Sequence, residues 1–358
     1  MPQPTGSQSP SLTVLSREPL VAGAPMSGLD SQVVPTNLFF IRNHFPVPAM
    51  DADLWSVKVT GQVRNEFSLT YAELKGMPRT ELEALMECAG NSRAAIQPPI
   101  EGLLWDHSGV SSARWAGVAL HTLIDRAGLL PSAQEVLLIG ADRGTEAGES
   151  GEMHYAMSLP MDKALDLNTL LAYEMNGGLL LPEHGYPLRV VAPGWYGMTS
   201  VKWLVEIQVL DRPYQGFHQS DYYVYRDLGT DDGSPGERVT TIKVKSLITW
   251  PGRGQLLEVG THRLRGVAWS GAAPVAIVDI STDNGCTWDA ATLQGSGSRH
   301  AWQQWEYVWE AAEPGRYLIR ARATDELNNS QPDRAPWNFR GFASNSIHAV
   351  PVVVKQPR

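Results

Sequence analysis

The sequence predicts a two-domain α+β protein: a mixed α/β domain followed by an antiparallel β-sandwich of immunoglobulin-like type. Three observations point there. The chain has 358 residues, more than the roughly 250–300 over which a single core usually extends. Helix and strand signals are mixed as far as about residue 235, whereas beyond it short strand signals recur with few helix signals. Between the two lies Leu228-Gly229-Thr230-Asp231-Asp232-Gly233-Ser234-Pro235-Gly236, a polar breaker cluster and a natural boundary. The expected division is an arm or tail over residues 1–35, a first domain over 36–235 and a second over 236–358.

The elements follow in order. Residues 1–35 are Ser, Pro, Gly and Gln with scattered apolar residues, a composition that suits an arm. Thr70-Tyr71-Ala72-Glu73 has the form of a capping box opening a short helix, which Gly76 and Pro78 close. Leu120, Leu123, Ile124 and Ala127 recur at helical spacing until Gly128 and Pro131 stop them. Val136-Leu137-Leu138-Ile139 and Leu204-Val205-Glu206-Ile207-Gln208-Val209 read as strands. In the second domain Val275 to Ile280 is apolar and β-branched, and Asp283-Asn284-Gly285 supplies a hairpin turn. Tyr317, Ile319, Ala321 and Ala323 alternate with Leu318, Arg320 and Arg322 as a half-exposed strand does.

Charge and composition narrow the function. With 38 acidic against 29 basic residues, the net charge is −9, which argues against a nucleic-acid groove or an anionic membrane surface as main partner. No apolar run approaches the roughly 18 residues of a membrane span. No secretory or twin-arginine leader is visible either, because no apolar core follows the first basic residue, Arg17. Two cysteines, Cys88 and Cys286, are too few for a disulfide framework. A cytoplasmic setting is the plain reading, with a periplasmic one open if a leader has been removed.

The usual chemical motifs are missing. Gly252-Arg253-Gly254 and Gly295-Ser296-Gly297 lack the third glycine of a dinucleotide fingerprint, and no Walker sequence or His-Glu-x-x-His pair occurs. What stands out is Glu87-Cys88-Ala89-Gly90-Asn91-Ser92-Arg93, directly after Leu85 and Met86. A glycine there lets backbone approach a ligand, and a thiolate is a soft ligand stabilised by nearby cations. The plain alternative is a buried, inert cysteine. Three further segments carry arginine in pinned or apolar settings: Arg42-Asn43-His44, Glu183-His184-Gly185-Tyr186-Pro187-Leu188-Arg189, and Pro336-Trp337-Asn338-Phe339-Arg340-Gly341. Each alone suits an ordinary salt bridge; together with the cysteine they fit an anion site beside a soft metal.

At these residues the sequence resembles the sulfite oxidase family of molybdenum enzymes. The Arg-Asn-His segment, the Cys-Ala-Gly-Asn turn, Leu171-Ala172-Tyr173-Glu174-Met175-Asn176-Gly177, the His-Gly-Tyr-Pro-Leu-Arg turn and Val201-Lys202-Trp203 come in the family's order. The resemblance implies a molybdopterin-binding first domain and a dimerisation domain behind it. It also implies one molybdenum held by the dithiolene of a molybdopterin and by the Cys88 thiolate. Cofactor contacts carried over are Arg42, Asn43, His44, Cys88, Asp142, His184, Arg189, Ser200, Val201 and Lys202. One departure is Gly197-Met198-Thr199-Ser200, where the family often has an arginine. The implied substrate pocket combines Arg42, Arg93, Trp105, Tyr222 and Arg340, with Arg42, Cys88 and Tyr222 as the catalytic set.

The implied activity is oxidation of sulfite to sulfate by oxygen-atom transfer, with electrons passing to an external acceptor such as oxygen or a cytochrome. Arg340 favours sulfite over nitrate, because an extra cation suits a doubly charged oxyanion and nitrate reductases resemble Trp-Asn-x-Met-Gly here. No haem is expected, and a homodimer is. The alternatives are a nitrate reductase-like or S- or N-oxide enzyme with the same cofactor, and a non-enzymatic binding protein in which Cys88 is core.

Overall fold

A computed structural model describes residues 10–226, 236–295 and 298–357. The breaker cluster expected at the domain boundary lies, apart from Gly236, outside the described residues, as do Ser296 and Gly297.

The first half is richer in sheet than expected. Its α-helices are short connectors: Tyr71–Lys75, Leu120–Ala127 and Met161–Ala164. The expected stops explain their length. Thr70 and Glu73 make the reciprocal capping box, and Gly76 ends that helix after one turn. Leu120–Ala127 buries Leu120, Leu123, Ile124 and Ala127 and ends at Gly128. Two five-stranded sheets carry the rest. One runs Phe67–Thr70, Ser56–Gly61, Leu204–Leu210, Glu135–Gly144, Met153–Pro160. The other orders Gly178–Leu179, Leu170–Met175, Val110–Ala119 and Thr80–Glu87, with Arg189–Val191 also paired to Leu170–Met175. Both expected strands are present, within Glu135–Gly144 and Leu204–Leu210.

The segment expected as an arm is folded onto the body. Thr13–Arg17 pairs with Leu20–Gly23, which in turn pairs with Ile41–Arg42 so that Val21 stands opposite Arg42. Leu29 and Val34 are fully buried, and Val34 N–H donates to the Ser112 carbonyl at 2.8 Å. Ser, Gly and Pro dominate the segment's composition, yet a few correctly spaced apolar residues suffice to anchor it. It also reaches the second half, where Asp30 pairs with Arg265 at 2.8 Å.

The second half is built from two sheets. Lys245–Trp250, Gly260–Trp269, Gln303–Ala311 and Thr292–Gln294 form one. Leu256–Glu258, His348–Lys355, Gly315–Asp325, Val275–Ser281 and Asp289–Ala290 form the other. Ile248, Leu264, Trp305 and Trp309 from the first sheet share a core with Val278, Ile280, Ile319 and Val352 from the second. The expected turn is there: Asn284 has a φ of 64°, and Val275–Ser281 pairs back with Asp289–Ala290. No helix among the described residues is long and apolar enough to cross a membrane.

Candidate active site

The strand Thr80–Glu87 runs straight into the Cys88 turn. Cys88 N–H donates to the Gly109 carbonyl at 2.8 Å, and Asn91 N–H donates to the Cys88 carbonyl at 2.9 Å. The Asn91 side chain closes the turn, accepting from Gly109 N–H at 3.1 Å and donating to Glu87 at 3.0 Å. Gly90 leaves room for the Arg93 guanidinium, which would lie 3.0 Å from a Cβ at that position. The Cys88 thiol is buried. Burial pushes its pKa up, opposed by Arg42, the Gly90 backbone N–H and Arg93.

Cys88 opens onto a cleft with about 660 Å³ of space between its walls, mouth included. Its walls carry an excess of positive charge. Arg189 is buried and, among the described residues, donates only to the His184 carbonyl at 3.0 Å, the Ser200 carbonyl at 3.1 Å, the Val190 carbonyl and the Met86 sulfur. Lys202 donates to the Glu183 carbonyl at 2.9 Å and to the Asn43 side chain. Arg42 donates to its neighbour's carbonyl. Among the described residues none of these three, nor Arg93, forms an ion pair with a carboxylate within 4.0 Å. Gly185, at a φ of 104°, lets the turn press against Lys202 and Arg189, whose Cβ atoms lie 3.0 and 3.1 Å from where its own would be.

The titrating groups register this surplus. Burial lowers Arg189 to about 9. Burial, then Arg189, pulls Lys202 well below the usual lysine range. Burial with Lys202 and Arg189 lowers His184 to about 3. Asp142 is raised to about 7 by burial against the pull of Lys202, and its Oδ1 has no hydrogen-bond partner, nor does Asn43 Nδ2. Unpaired buried polar atoms beside uncompensated cations are costly unless a polar, anionic guest completes them.

The expected site residues separate into three groups. Arg42, Asn43, His44, Cys88, Asp142, His184, Arg189, Ser200 and Lys202 all line the cleft. Val201 is packed into the core instead, its carbonyl accepting from Val190 N–H at 2.7 Å. Arg93, Trp105, Tyr222 and Arg340 stand beside the cleft rather than in its wall. Trp105 is buried edge-on to Phe40 at 6.1 Å. Arg93 lies over the Phe342 ring at 5.0 Å, and Arg340 over the Tyr222 ring at 4.2 Å.

Tyr223, the neighbour of the expected tyrosine, is the one that lines the cleft. Tyr155, Glu146 and His218 were also missed: Glu146 accepts from His44 Nδ1 at 3.1 Å and from His218 Nε2 at 3.0 Å. The Tyr222-Tyr223 pair offered a choice of two, but nothing local marks Glu146 or His218.

The second half braces the cysteine turn. Ala343 N–H donates to the Ala89 carbonyl at 2.7 Å. Lys245 Nζ donates to Glu87 Oε1 at 2.7 Å and Trp269 Nε1 to Glu87 Oε2 at 2.9 Å, so a buried ion pair from the second half abuts the cysteine turn.

Comparison with known proteins agrees with this geometry. Residues 44–218 match the family model described as an oxidoreductase molybdopterin binding domain, and residues 237–355 match a Mo-co oxidoreductase dimerisation domain. The chain is 36% identical to sulfite oxidase of Gallus gallus over 95% of its own length and 77% of the relative's. It is 36% identical to mitochondrial sulfite oxidase of Homo sapiens over 96% of its length, and it spans 66% of that protein. The crystal structure of sulfane dehydrogenase SoxCD from Paracoccus pantotrophus superposes with a TM-score of 0.82 at 25% identity, covering 97% of this chain and 90% of that one.

Proposed function

The chain belongs to the sulfite oxidase family of molybdopterin-binding oxidoreductases, and from that premise we propose that it oxidises sulfite to sulfate at a molybdenum held by Cys88. One observation carries the reading: a buried thiol faces a cleft whose cations, Arg42, Arg189 and Lys202, form no ion pair within 4.0 Å among the described residues. That donor set fits the cofactor. Cys88 offers the soft sulfur, while Arg189, Lys202, His184 and Ser200 surround a volume suited to the pterin phosphate and ring. The orphaned Asp142 Oδ1 and Asn43 Nδ2 suit the pterin's donors and acceptors. Once bound, molybdenum supplies two-electron, oxygen-transferring chemistry that no side chain here can provide.

The chain's own groups bind, orient and neutralise. Arg42 stands in the cleft wall. Burial works against its charge, but Tyr223, Cys88 and Tyr222 outweigh that and raise its pKa, so it stays cationic. Arg42, Arg93 and Arg340 draw in a doubly charged oxyanion and offset its desolvation. Trp105 backs Phe40, which lines the cleft, and Tyr222 carries Arg340 on its ring face, so both act by positioning. Sulfite and water together yield sulfate, two protons and two electrons. The electrons leave for an external acceptor, oxygen or a cytochrome.

We take residues 36–235 as the catalytic domain and 236–358 as an immunoglobulin-like sandwich that forms the homodimer. Support comes from the two-sheet core and the dimerisation-domain match. Two free cysteines suit a reducing, cytoplasmic setting. The relatives' names favour sulfite over nitrate and over a non-enzymatic role.

Cys88→Ser tests the ligand. Wild type expressed with cofactor synthesis is expected to hold about one molybdenum per chain and to reduce ferricyanide with sulfite. The variant should keep its fold by circular dichroism and lose sulfite turnover by at least about a thousandfold. Full turnover with undiminished metal would overturn the assignment.

A further inference from the structure

We propose that Phe342 is a positioning residue for Arg93: its ring face holds the guanidinium beside the cleft without using the N–H groups that a sulfite oxyanion needs. This deepens the proposed function and rests on it. Arg93 is 7% exposed, and its guanidinium carbon stands 5.0 Å from the centre of the Phe342 ring. Among the described residues its side chain makes one hydrogen bond, from a terminal nitrogen to the Leu103 carbonyl at 3.5 Å. Its Nε is buried with no partner, and no ion pair reaches it within 4.0 Å. A guanidinium carries five N–H donors, so the protein leaves most of them unused. Buried donors of that kind are costly until an oxyanion accepts from them.

The surroundings hold the group by shape. Cβ atoms on Gly90 and Gly102 would lie 3.0 and 3.2 Å from its two terminal nitrogens, and one on Gly341 would lie 3.2 Å from its Cγ. Bare backbone thus lets the side chain lie close, and the Phe342 ring supplies a further wall. That ring is fixed. Phe342 is 2% exposed, and Asn338 brackets it, donating to the Phe342 carbonyl and accepting from Phe342 N–H, both at 2.9 Å. The next residue, Ala343, donates to the Ala89 carbonyl at 2.7 Å. A platform from the second half is therefore tied to the turn that carries both Cys88 and Arg93.

The choice of a ring has a physical reason. A carboxylate in that place would also hold the cation, but it would take up two N–H donors and cancel the charge. A ring face attracts a desolvated cation through its quadrupole and leaves the N–H donors free. The device recurs in this site: Arg340 lies over the Tyr222 ring at 4.2 Å and Arg189 over the Trp115 ring at 5.1 Å. Phe342 meets the Tyr222 ring at 6.0 Å, so the aromatic floor runs from Arg93 to Arg340.

Fluorination drains the negative face of a ring while nearly preserving its shape. Mono-, di- and trifluorinated phenylalanine at position 342 of the cofactor-loaded protein are expected to raise the sulfite KM stepwise, with kcat changed by less than about twofold. Phe342→Leu, which fills the space without a ring, should raise KM by about 5- to 30-fold. Arg93→Met with Phe342→Leu should bind sulfite no worse than Arg93→Met alone, since nothing is left to position. A second readout is independent of turnover. In ¹⁵N-arginine-labelled protein the Arg93 Nε–H resonance, identified by its loss in Arg93→Met, should shift when Phe342→Leu removes the ring current. A ring with a merely structural role would change Tm or metal content and leave KM level across the fluorinated series.

That near-isosteric series carries the test if Phe342→Leu does not fold. A KM unmoved by fluorination, additive losses in the double variant, or an Arg93 resonance indifferent to Phe342→Leu would overturn the inference alone. A fully loaded wild type that sulfite cannot reduce would instead bring down the proposed function, and sulfite as the anion with it, while the resonance still reports the ring's hold on Arg93.

Discussion

Lys202 sits where the fold and the site want different things. In the cofactor-free protein its ammonium is held among cations, with pKa pulled down first by burial and next by Arg189. Lys202→Met keeps most of the packing without the charge. The cofactor-free variant is expected to unfold at a Tm equal to wild type or up to about 4 °C higher. Molybdenum content should fall about 10- to 100-fold, the worth of one charge-assisted bond to phosphate of about 1.5–3 kcal/mol. A lowered Tm with full metal content would show Lys202 to be structural. Residues of this kind were legible in the sequence because they fall within ordered motifs: nine of the positions expected at the cofactor line one cleft. Val201 shares the motif with Lys202 but is buried in the core while Lys202 lines the cleft, a distinction that only the folded loop before Leu204–Leu210 supplies.

At the level of elements, the strand Lys245–Trp250 reaches across to the end of Thr80–Glu87 through Lys245 and Glu87, whose side chains are 2% and 1% exposed. Breaking a buried pair on one side leaves the other charge stranded. Lys245→Met is therefore expected to destabilise the protein by about 3–5 kcal/mol in urea denaturation, and adding Glu87→Gln should recover a large part of that loss. A cost under about 1 kcal/mol would mean that Asn91 and Trp269 already satisfy Glu87. No feature of the sequence joins residues 87 and 245. Short, well-punctuated elements were readable, as Thr70 with Gly76 and Asp283-Asn284-Gly285 demonstrate. The arm was misread because averaging its composition hid Val21, Leu29 and Val34, which pair or pack with residues distant in sequence.

Across the whole molecule, burial keeps several histidines neutral. His107 is lowered to about 4, His184 to about 3 and His300 to about 4, while His44 and His348 fall well below their usual value. Between about pH 4 and 6.5 the unfolded chain thus binds more protons at these sites than the native one, so stability falls as pH drops through that window. Asp142, raised to about 7, works in the opposite sense but is one group against five. The urea midpoint is expected to decrease steadily from pH 7 to pH 5; a midpoint that stayed level or rose would refute the balance.

The sequence changes grammar near residue 235, but nothing in it tells that the later part braces the cysteine turn of the earlier one. The Ala343 to Ala89 hydrogen bond has a temporal corollary. A ribosome emits residue 343 about 254 positions after residue 89, a delay of roughly 13–50 s at about 5–20 residues per second. Throughout that interval the cysteine turn lacks this brace, so a fully buttressed metal ligand belongs to the finished polypeptide rather than to translation.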